Sequence, residues 1–278
     1  MDGTNVKAIV FDLDGTLYEE PHHFEYYAEQ VAKRLREEDQ QRFWEDYRAV
    51  LSGRHPLRIG SVYDAGEDLI LFLQNGIVSE AYRWNGEKLD EEEVQKIYQE
   101  RVTIDLDRLF SIGDFWWVPS SIGRHYGLTN EDTYAAFLET REWMMGPDFA
   151  MNGVPGLAET LEQLKNRTVL ILMTNSPEPD SEAILHKLKL ADVFHHKIFQ
   201  AGKPIKTASH LQTIRDRYHI QYKEMISIGD NLGNDILPAR RLGCRTIFID
   251  AYRLAKQGDA DVIVASMSEC VPVLRRLL

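Results

Sequence analysis

The chain has 278 residues, enough for one large domain or two smaller ones, and its 44% hydrophobic content predicts a well-packed core. A formal net charge of −12 disfavours nucleic acid as a partner, so an anionic ligand must be attracted locally by a metal ion, a lysine or backbone N–H groups. No apolar run approaches the roughly 18 residues of a membrane span, and the N-terminal residues lack a signal-peptide pattern. We therefore expect a cytoplasmic protein that binds neither nucleic acid nor membrane.

The first apolar run, residues 6–11, predicts a strand buried on both faces, because its apolar residues hardly alternate with polar ones. Residues 18–150 follow as a long stretch that is dense in aromatic and charged side chains and mostly helical in pattern. One helical face in it is formed by Phe24, Tyr27, Val31 and Leu35. Trp84-Asn85-Gly86-Glu87 predicts a hairpin turn, and residues 113–127 predict a break between helices.

Strand and helix patterns alternate through the remainder of the chain. Further apolar runs lie at residues 169–173, 197–199, 225–228, 246–249 and 262–264, of which 197–199 is the weakest. Helical stripes lie between them, for example Leu157, Leu161 and Leu164, or Leu211, Ile214 and Tyr218. This alternation predicts a doubly wound, Rossmann-like α/β fold with a parallel sheet. The simplest organisation is an α/β core domain of residues 1–17 and 151–278, with residues 18–150 as a mostly helical insertion after the first strand.

Polar residues follow four of the predicted strands. They are Asp12 and Asp14 with Gly15 and Thr16, then Thr174, Asn175 and Ser176, then Lys203, and finally Asp230 and Asp235. In an open parallel sheet, ligands bind beyond the carboxyl ends of the strands, so these side chains are expected at one rim. Carboxylates, a hydroxyl, an amide and a lysine together suit a metal ion and a phosphate group.

These segments resemble the four motifs of the haloacid dehalogenase-like superfamily, whose members are mostly phosphatases. The motifs correspond to Asp12-Leu13-Asp14-Gly15-Thr16, the strand end at Thr174-Asn175, the lysine of Gly202-Lys203-Pro204, and Gly229–Asp235. All four stand in the expected order at the expected strand ends. The resemblance covers the α/β domain, and it covers residues 18–150 only by position, as the helical cap that many members carry there.

The resemblance implies a role for each residue. Asp12 attacks phosphorus to form an aspartyl-phosphate, and Asp14 protonates the leaving alcohol and then deprotonates the attacking water. Mg2+ is held by the Asp12 side chain, the Asp14 backbone carbonyl and Asp230. Phosphate oxygens are held by Thr174, by Asn175 with the neighbouring backbone N–H groups, and by Lys203, while Asp235 supports the site from behind. The implied substrate is a small phosphorylated metabolite.

Single features allow other interpretations. Asp12–Thr16 alone resembles an ordinary surface turn, and Asp235 can cap the helix that follows it as well as support the site. Lys206 is an alternative to Lys203. An EF-hand is excluded, because Leu17 and His23 occupy the loop positions that need Gly and Glu. At the level of function, a haloacid dehalogenase, a phosphomutase or a non-catalytic binding protein of the same superfamily are the rivals. The sequence leaves the substrate and the oligomeric state open.

Overall fold

The computed structural model describes residues 6–105 and 107–278. Numbered in chain order, the strands in this part of the chain are β1 Ala8–Phe11, β2 Val62–Asp64, β3 Leu69–Gln74, β4 Ile77–Arg83, β5 Leu109–Ser111, β6 Val169–Met173, β7 His196–Ile198, β8 Met225–Gly229, β9 Arg245–Ile249 and β10 Val262–Val264. The α-helices are α1 His22–Ala32, α2 Glu37–Leu51, α3 Glu91–Ile97, α4 Trp117–His125, α5 Asn130–Met145, α6 Leu157–Lys165, α7 Glu178–Lys187, α8 Thr207–Tyr218, α9 Leu237–Arg241 and α10 Met267–Arg275. Of these helices, none is both long enough and apolar enough to cross a bilayer.

A six-stranded parallel sheet has the strand order β10-β9-β8-β1-β6-β7. β1 lies between β6 and β8, with Phe11 opposite Leu172 on one side and Ile228 on the other. Every residue of β1 is buried, as expected for a central strand of such a sheet. Each of the apolar runs predicted from residue 6 to residue 264 coincides with one of these strands, so the predicted doubly wound α/β sheet is confirmed.

Apolar side chains from three neighbouring strands pack against α8. The buried cluster includes Ala8 and Val10 of β1, Ile171 and Met173 of β6, Met225 of β8, and Leu211 and Ile214 of α8. Burying one such aliphatic side chain contributes roughly 1.5–3 kcal/mol. This packing fixes the strands whose carboxyl ends carry the predicted site residues.

The part of the chain that follows β1 and precedes α6 contains a second sheet, which the sequence pattern did not predict. It has four antiparallel strands in the order β4-β3-β2-β5. The expected helices are present as well, and their apolar faces share one buried cluster with the sheet, including Val31 of α1, Phe43 of α2, Ile70 of β3 and Ile122 of α4. The predicted break at residues 113–127 is wrong, because α4 occupies most of it.

Two tight turns shape the second sheet. β3 and β4 are joined through Asn75 and Gly76, whose φ angles of 52° and 80° are the left-handed pair that a two-residue hairpin turn requires. After β4 the chain turns back at the predicted position, where the Arg83 N–H donates to the Glu87 carbonyl at 2.8 Å. Gly86 takes a φ of 90° there, and Tyr82 pairs with Lys88. The hairpin turn predicted at Trp84–Glu87 is therefore confirmed.

The chain divides into two compact units. One comprises the described residues up to Glu20 together with Glu142–Leu278, and the other is Pro21–Arg141. The first unit contains the parallel sheet and the second contains the antiparallel one. The organisation expected from the sequence has its boundaries at 17/18 and 150/151, and the role of the inserted residues as a cap stays a prediction.

Candidate active site

The carboxyl ends of four neighbouring strands bring the predicted site residues to one rim of the parallel sheet. Asp12 follows β1, Thr174 follows β6, Lys203 lies in the loop after β7, and Asp230 follows β8. Because β1 is flanked by β6 and β8, Asp12 stands in the middle of this row. Its N–H donates to the Ile228 carbonyl at 3.0 Å, which continues the pairing with β8 past the end of β1.

A buried lysine joins two of the carboxylates. Lys203 Nζ lies 2.9 Å from Asp12 Oδ1 and 2.6 Å from Asp235 Oδ1, and its side chain is only 1% exposed. Asp235 is equally enclosed, whereas Asp12 keeps 12% of its side chain exposed. Of the two candidate lysines, Lys203 is thus the one in contact with Asp12. Lys206 is exposed at the start of α8.

Burial and charge act against each other at Asp12. Burial raises the pKa of Asp12 above its ordinary value, the Lys203 ammonium opposes this rise, and the Asp235 and Asp14 carboxylates add to it. For Lys203, burial alone favours the neutral amine, but Asp12 and Asp235 outweigh it and raise the pKa of the lysine. A charged Lys203 therefore faces more than one carboxylate, and the negative charge left over favours a bound cation.

The carboxylates have the composition that a hard divalent cation prefers. Ligand oxygens of Asp12, Asp230 and Asp235 lie within 4.8 Å of one another. Asp12 and Asp230 are half-buried, whereas Asp235 is fully buried against Lys203. Mg2+ is bound in proteins by one or two carboxylates together with carbonyl groups, water and substrate phosphates. Asp12 and Asp230 fit that ligand set, with Asp235 behind them.

The turn after β8 explains why Asp235 lies beside Lys203. Asn231, not Asp235, caps the helical turn Leu232–Ile236, because its side-chain oxygen accepts the N–H groups of Gly233 and Asn234 at 3.1 Å each. The helix that follows Asp235 is α9, whose N-cap residue Ile236 has no side-chain cap hydrogen bond, so the helix-cap interpretation of Asp235 is wrong. A Cβ on Gly229 would lie 2.4 Å from Asp235 Oδ2, so the close approach of this carboxylate to the strand end requires glycine.

The loop after β6 organises the lysine as well as the rim. The Asn175 side chain accepts the Lys203 N–H at 2.7 Å and donates to the Lys203 carbonyl at 3.0 Å. Both polar ends of this amide are thus engaged in holding the lysine backbone. Thr174 is buried, and its hydroxyl oxygen accepts the Ser176 N–H at 3.1 Å. The phosphate contacts predicted for Thr174 and Asn175 stay predictions, and for Asn175 the backbone N–H is the more suitable donor.

Two hydroxyl groups to which the sequence interpretation gave no role contact Asp14: that of Ser176, which was expected at the rim, and that of Tyr18, which was not. The Tyr18 hydroxyl donates to Asp14 Oδ1 at 2.5 Å, and the Ser176 hydroxyl donates to Asp14 Oδ2 at 2.6 Å. Asp14 is half-buried beside Asp12 at the same rim. Its carboxylate is thereby held on both oxygens.

The family model described as haloacid dehalogenase-like hydrolase matches residues 6–243, which is most of the chain. The chain belongs to this family. It is therefore a hydrolase, and Asp12, Thr174, Lys203 and Asp230 all lie within the matched part.

A named relative of this hydrolase is the glyceraldehyde 3-phosphate phosphatase of Pyrococcus furiosus. The two sequences are 26% identical over 133 residues, which cover 44% of this chain and 55% of the relative. The chain thus matches about half the length of that relative.

Solved structures of other haloacid dehalogenase-like proteins share the fold. The magnesium-bound HAD-hydrolase YfnB of Bacillus subtilis has a TM-score of 0.54 at 13% identity, covering 98% of this chain and 99% of that one. The family protein SP0104 of Streptococcus pneumoniae has a TM-score of 0.52 at 15% identity, covering 98% and 99%. At identities this low, the structural similarity shows a shared fold.

At Gly15 an added side chain would collide with the Asp230 carboxylate. The φ of Gly15 is 70°, and an added Cβ would lie 2.2 Å from Asp230 Oδ2. We expect Gly15→Ala to displace the Asp230 carboxylate, to weaken Mg2+ binding measured by titration calorimetry, and to lower hydrolytic activity by roughly 100-fold.

Gly53 provides a matched control, because it has the same φ of 70° but nothing within 4 Å of the added Cβ. Both variants carry a backbone strain of about 1–2 kcal/mol from the left-handed conformation. Only Gly15→Ala should impair Mg2+ binding and activity. Equal effects of the two variants on activity would mean that strain, and not the contact with Asp230, is responsible.

Proposed function

We propose that the protein is a Mg2+-dependent phosphatase that hydrolyses a small phosphate monoester through an aspartyl-phosphate on Asp12. The observation that carries this proposal is the Asp12 carboxylate at the rim of the sheet, paired with the buried Lys203 and clustered with Asp230 and Asp235. A nucleophilic carboxylate needs partial exposure, a fixed direction and nearby positive charge. Asp12 has the first two from its position after β1, and Lys203 supplies the third.

In the first step an Asp12 carboxylate oxygen attacks phosphorus, and the bond from phosphorus to the alcohol oxygen breaks. The proton that the leaving oxygen needs comes from the Asp14 carboxyl group. Negative charge is spread over the phosphoryl oxygens during the transfer, so a preorganised cation stabilises the transition state. Lys203 is such a cation, since Asp12 and Asp235 hold its ammonium in one place.

In the second step a water oxygen attacks the phosphorus of the aspartyl-phosphate, and the bond to Asp12 breaks. The proton released by the water goes to Asp14, which restores the acid for the next cycle. Inorganic phosphate leaves, and Asp12 returns to the carboxylate that Lys203 binds. Asp14 acts in both steps, so its orientation matters for both.

Mg2+ held by Asp12, the Asp14 carbonyl and Asp230 would supply charge neutralisation to the phosphoryl oxygens. The surplus of carboxylates over the single Lys203 ammonium supports this assignment. The magnesium in the YfnB structure and the phosphatase name of the Pyrococcus furiosus relative agree with it. The name of that relative also supports a small phosphorylated metabolite as substrate. Thr174 and the backbone N–H groups after β6 would bind phosphate oxygens.

The test is a metal-dependent assay on the purified full chain. We expect the protein to release phosphate from p-nitrophenyl phosphate in the presence of Mg2+. Removing Mg2+ with EDTA should lower this activity by at least roughly 100-fold, and adding Mg2+ back should restore it. A panel of phosphorylated metabolites, assayed for inorganic phosphate, then ranks the natural substrate class.

Three outcomes would contradict the proposal. Halide release from a 2-haloacid without Mg2+ would indicate a dehalogenase, and interconversion of sugar phosphates without net phosphate release would indicate a phosphomutase. Mg2+ binding by calorimetry with no turnover across the panel would indicate a binding protein that keeps the fold.

A further inference from the structure

The orientation of Asp14 rests on two side chains outside the four motif positions. Tyr18 donates to Oδ1 and Ser176 donates to Oδ2, at 2.5 and 2.6 Å. Each carboxyl oxygen of Asp14 thus accepts a hydrogen bond from a different side chain. A carboxylate held on one oxygen can still rotate, whereas one held on both has its plane and its direction set.

Both hydroxyl groups come from positions that the backbone fixes. Tyr18 is fully buried and follows a turn in which the Leu17 N–H donates to the Leu13 carbonyl at 2.9 Å. Ser176 is 5% exposed, and its own N–H and carbonyl are both engaged, with Thr174 Oγ1 and the Gln200 N–H, at 3.1 Å each. The two donors thus reach Asp14 from the loops after β1 and β6.

We propose that Tyr18 and Ser176 are positioning residues that aim the Asp14 carboxyl group at the leaving oxygen of the substrate. This inference rests on the proposed phosphatase function, in which Asp14 transfers the proton. Each carboxylate oxygen has two lone pairs. An oxygen that accepts a hydrogen bond from one hydroxyl group on its first lone pair can therefore still bind or release a proton at its second. Both hydroxyl groups can therefore stay in place through both steps.

A proton donor matters most when the leaving group is a strong base. Phenolate is a much stronger base than p-nitrophenolate, which leaves without a proton, while phenyl phosphate and p-nitrophenyl phosphate have similar shapes. The ratio kcat/KM reports the steps up to departure of the leaving group and excludes hydrolysis of the common aspartyl-phosphate. Comparing kcat/KM for the two esters therefore isolates the proton that Asp14 donates.

The experiment uses Tyr18→Phe and Ser176→Ala in the full chain with Mg2+. We expect kcat/KM for phenyl phosphate to fall by roughly 10-fold in each single variant and roughly 100-fold in the double variant, as for a misplaced general acid. The value for p-nitrophenyl phosphate should fall by less than about threefold, because that leaving group needs no proton. Ser176→Thr keeps a hydroxyl group at this position, so its ratio of kcat/KM values for the two esters should equal that of the wild type.

Matched controls separate positioning from packing. Tyr18→Phe keeps the buried ring, and Tyr47→Phe and Ser61→Ala make the same truncations at buried positions of the other compact unit, Pro21–Arg141. Both controls should leave the ratio unchanged. An equal fall for both esters in the Tyr18 and Ser176 variants, or no fall for either, would overturn the positioning role while leaving the proposed function intact. No wild-type hydrolysis of either ester would refute the proposed function, and the positioning role with it.

Discussion

Asp12→Asn should abolish phosphate release from p-nitrophenyl phosphate, with a fall in kcat of roughly 10⁴-fold or more, as expected when a covalent nucleophile is removed. An asparagine amide has the shape of the carboxylate but cannot form the aspartyl-phosphate. Its oxygen can still accept the hydrogen bond from Lys203, which lies 2.9 Å from Asp12 Oδ1. The loss therefore concerns the chemistry, and the surrounding contacts should survive.

The stability of the same variant gives an independent check. Burial raises the pKa of Asp12, which means that the folded protein disfavours its charged form. Replacing this carboxylate by a neutral amide removes that penalty, so the melting temperature measured in EDTA should not fall. The increase in melting temperature on adding Mg2+ should become smaller, because one carboxylate ligand is missing.

Asp216→Asn on α8 is the control for the change of charge, since Asp216 is exposed and paired with Arg215 at 2.7 Å. It should keep wild-type kcat and the wild-type response to Mg2+. Phosphatase activity that survives Asp12→Asn would exclude the aspartyl-phosphate route. A large fall in melting temperature would contradict the expected stability of Asp12→Asn, and the more conservative Asp12→Glu would then test the loss of activity.

The parallel sheet was predictable because its strands are buried on both faces. Runs such as Val169–Met173 are almost wholly apolar, and no tertiary information is needed to recognise them. The second sheet lacks that signal, since the two buried residues of β4 (Ile77–Arg83), Val78 and Ala81, are three apart, a spacing that also occurs in helices, inside a stretch rich in helical patterns. The Asn75-Gly76 pair between β3 and β4 was the available local signal, because both residues can take the positive φ of a tight hairpin turn.

The site was predictable to the extent that each motif follows a strand. The carboxyl ends of parallel strands meet at one rim, so Asp12, Lys203 and Asp230 could be expected together before their distances were known. The contacts of Asp14 differ in this respect. Tyr18 is four residues further along, and this spacing brings side chains together if the intervening turn is helical. Ser176 is distant in sequence, and its contact with Asp14 follows only from the pairing of β1 with β6.

Asp235 illustrates what local pattern alone leaves undecided. An aspartate before a helical segment suits a cap, and the same residue suits support of a lysine. The choice depends on Asn231, whose side chain takes the capping role and leaves the Asp235 carboxylate facing Lys203. Burial of the whole group, which no short motif encodes, then makes the ion pair important for stability as well as for activity.

Lys203→Met should therefore destabilise the protein and inactivate it. Removing one partner from a buried ion pair leaves uncompensated charge and costs about 3–5 kcal/mol. Here the methionine leaves Asp12 and Asp235 without an ammonium that lies 2.9 and 2.6 Å from them. In EDTA we expect the melting temperature to fall by roughly 10 °C, as a loss of this size predicts for a protein of this length. Activity with Mg2+ should fall by roughly 100–1000-fold, because a fixed cation near the phosphoryl oxygens is lost.

Lys206→Met is the matched control, since Lys206 lies three residues on and is exposed. It should leave both the melting temperature and kcat near wild type. Adding Asp235→Asn to Lys203→Met removes one of the two stranded charges and should recover part of the lost stability without recovering activity. Mg2+ should also stabilise Lys203→Met more than it stabilises the wild type, because a cation near Asp12 replaces part of the missing charge. A melting temperature unchanged by Lys203→Met, or lowered equally by Lys206→Met, would refute the inference that the buried pair with Asp12 and Asp235 stabilises the rim.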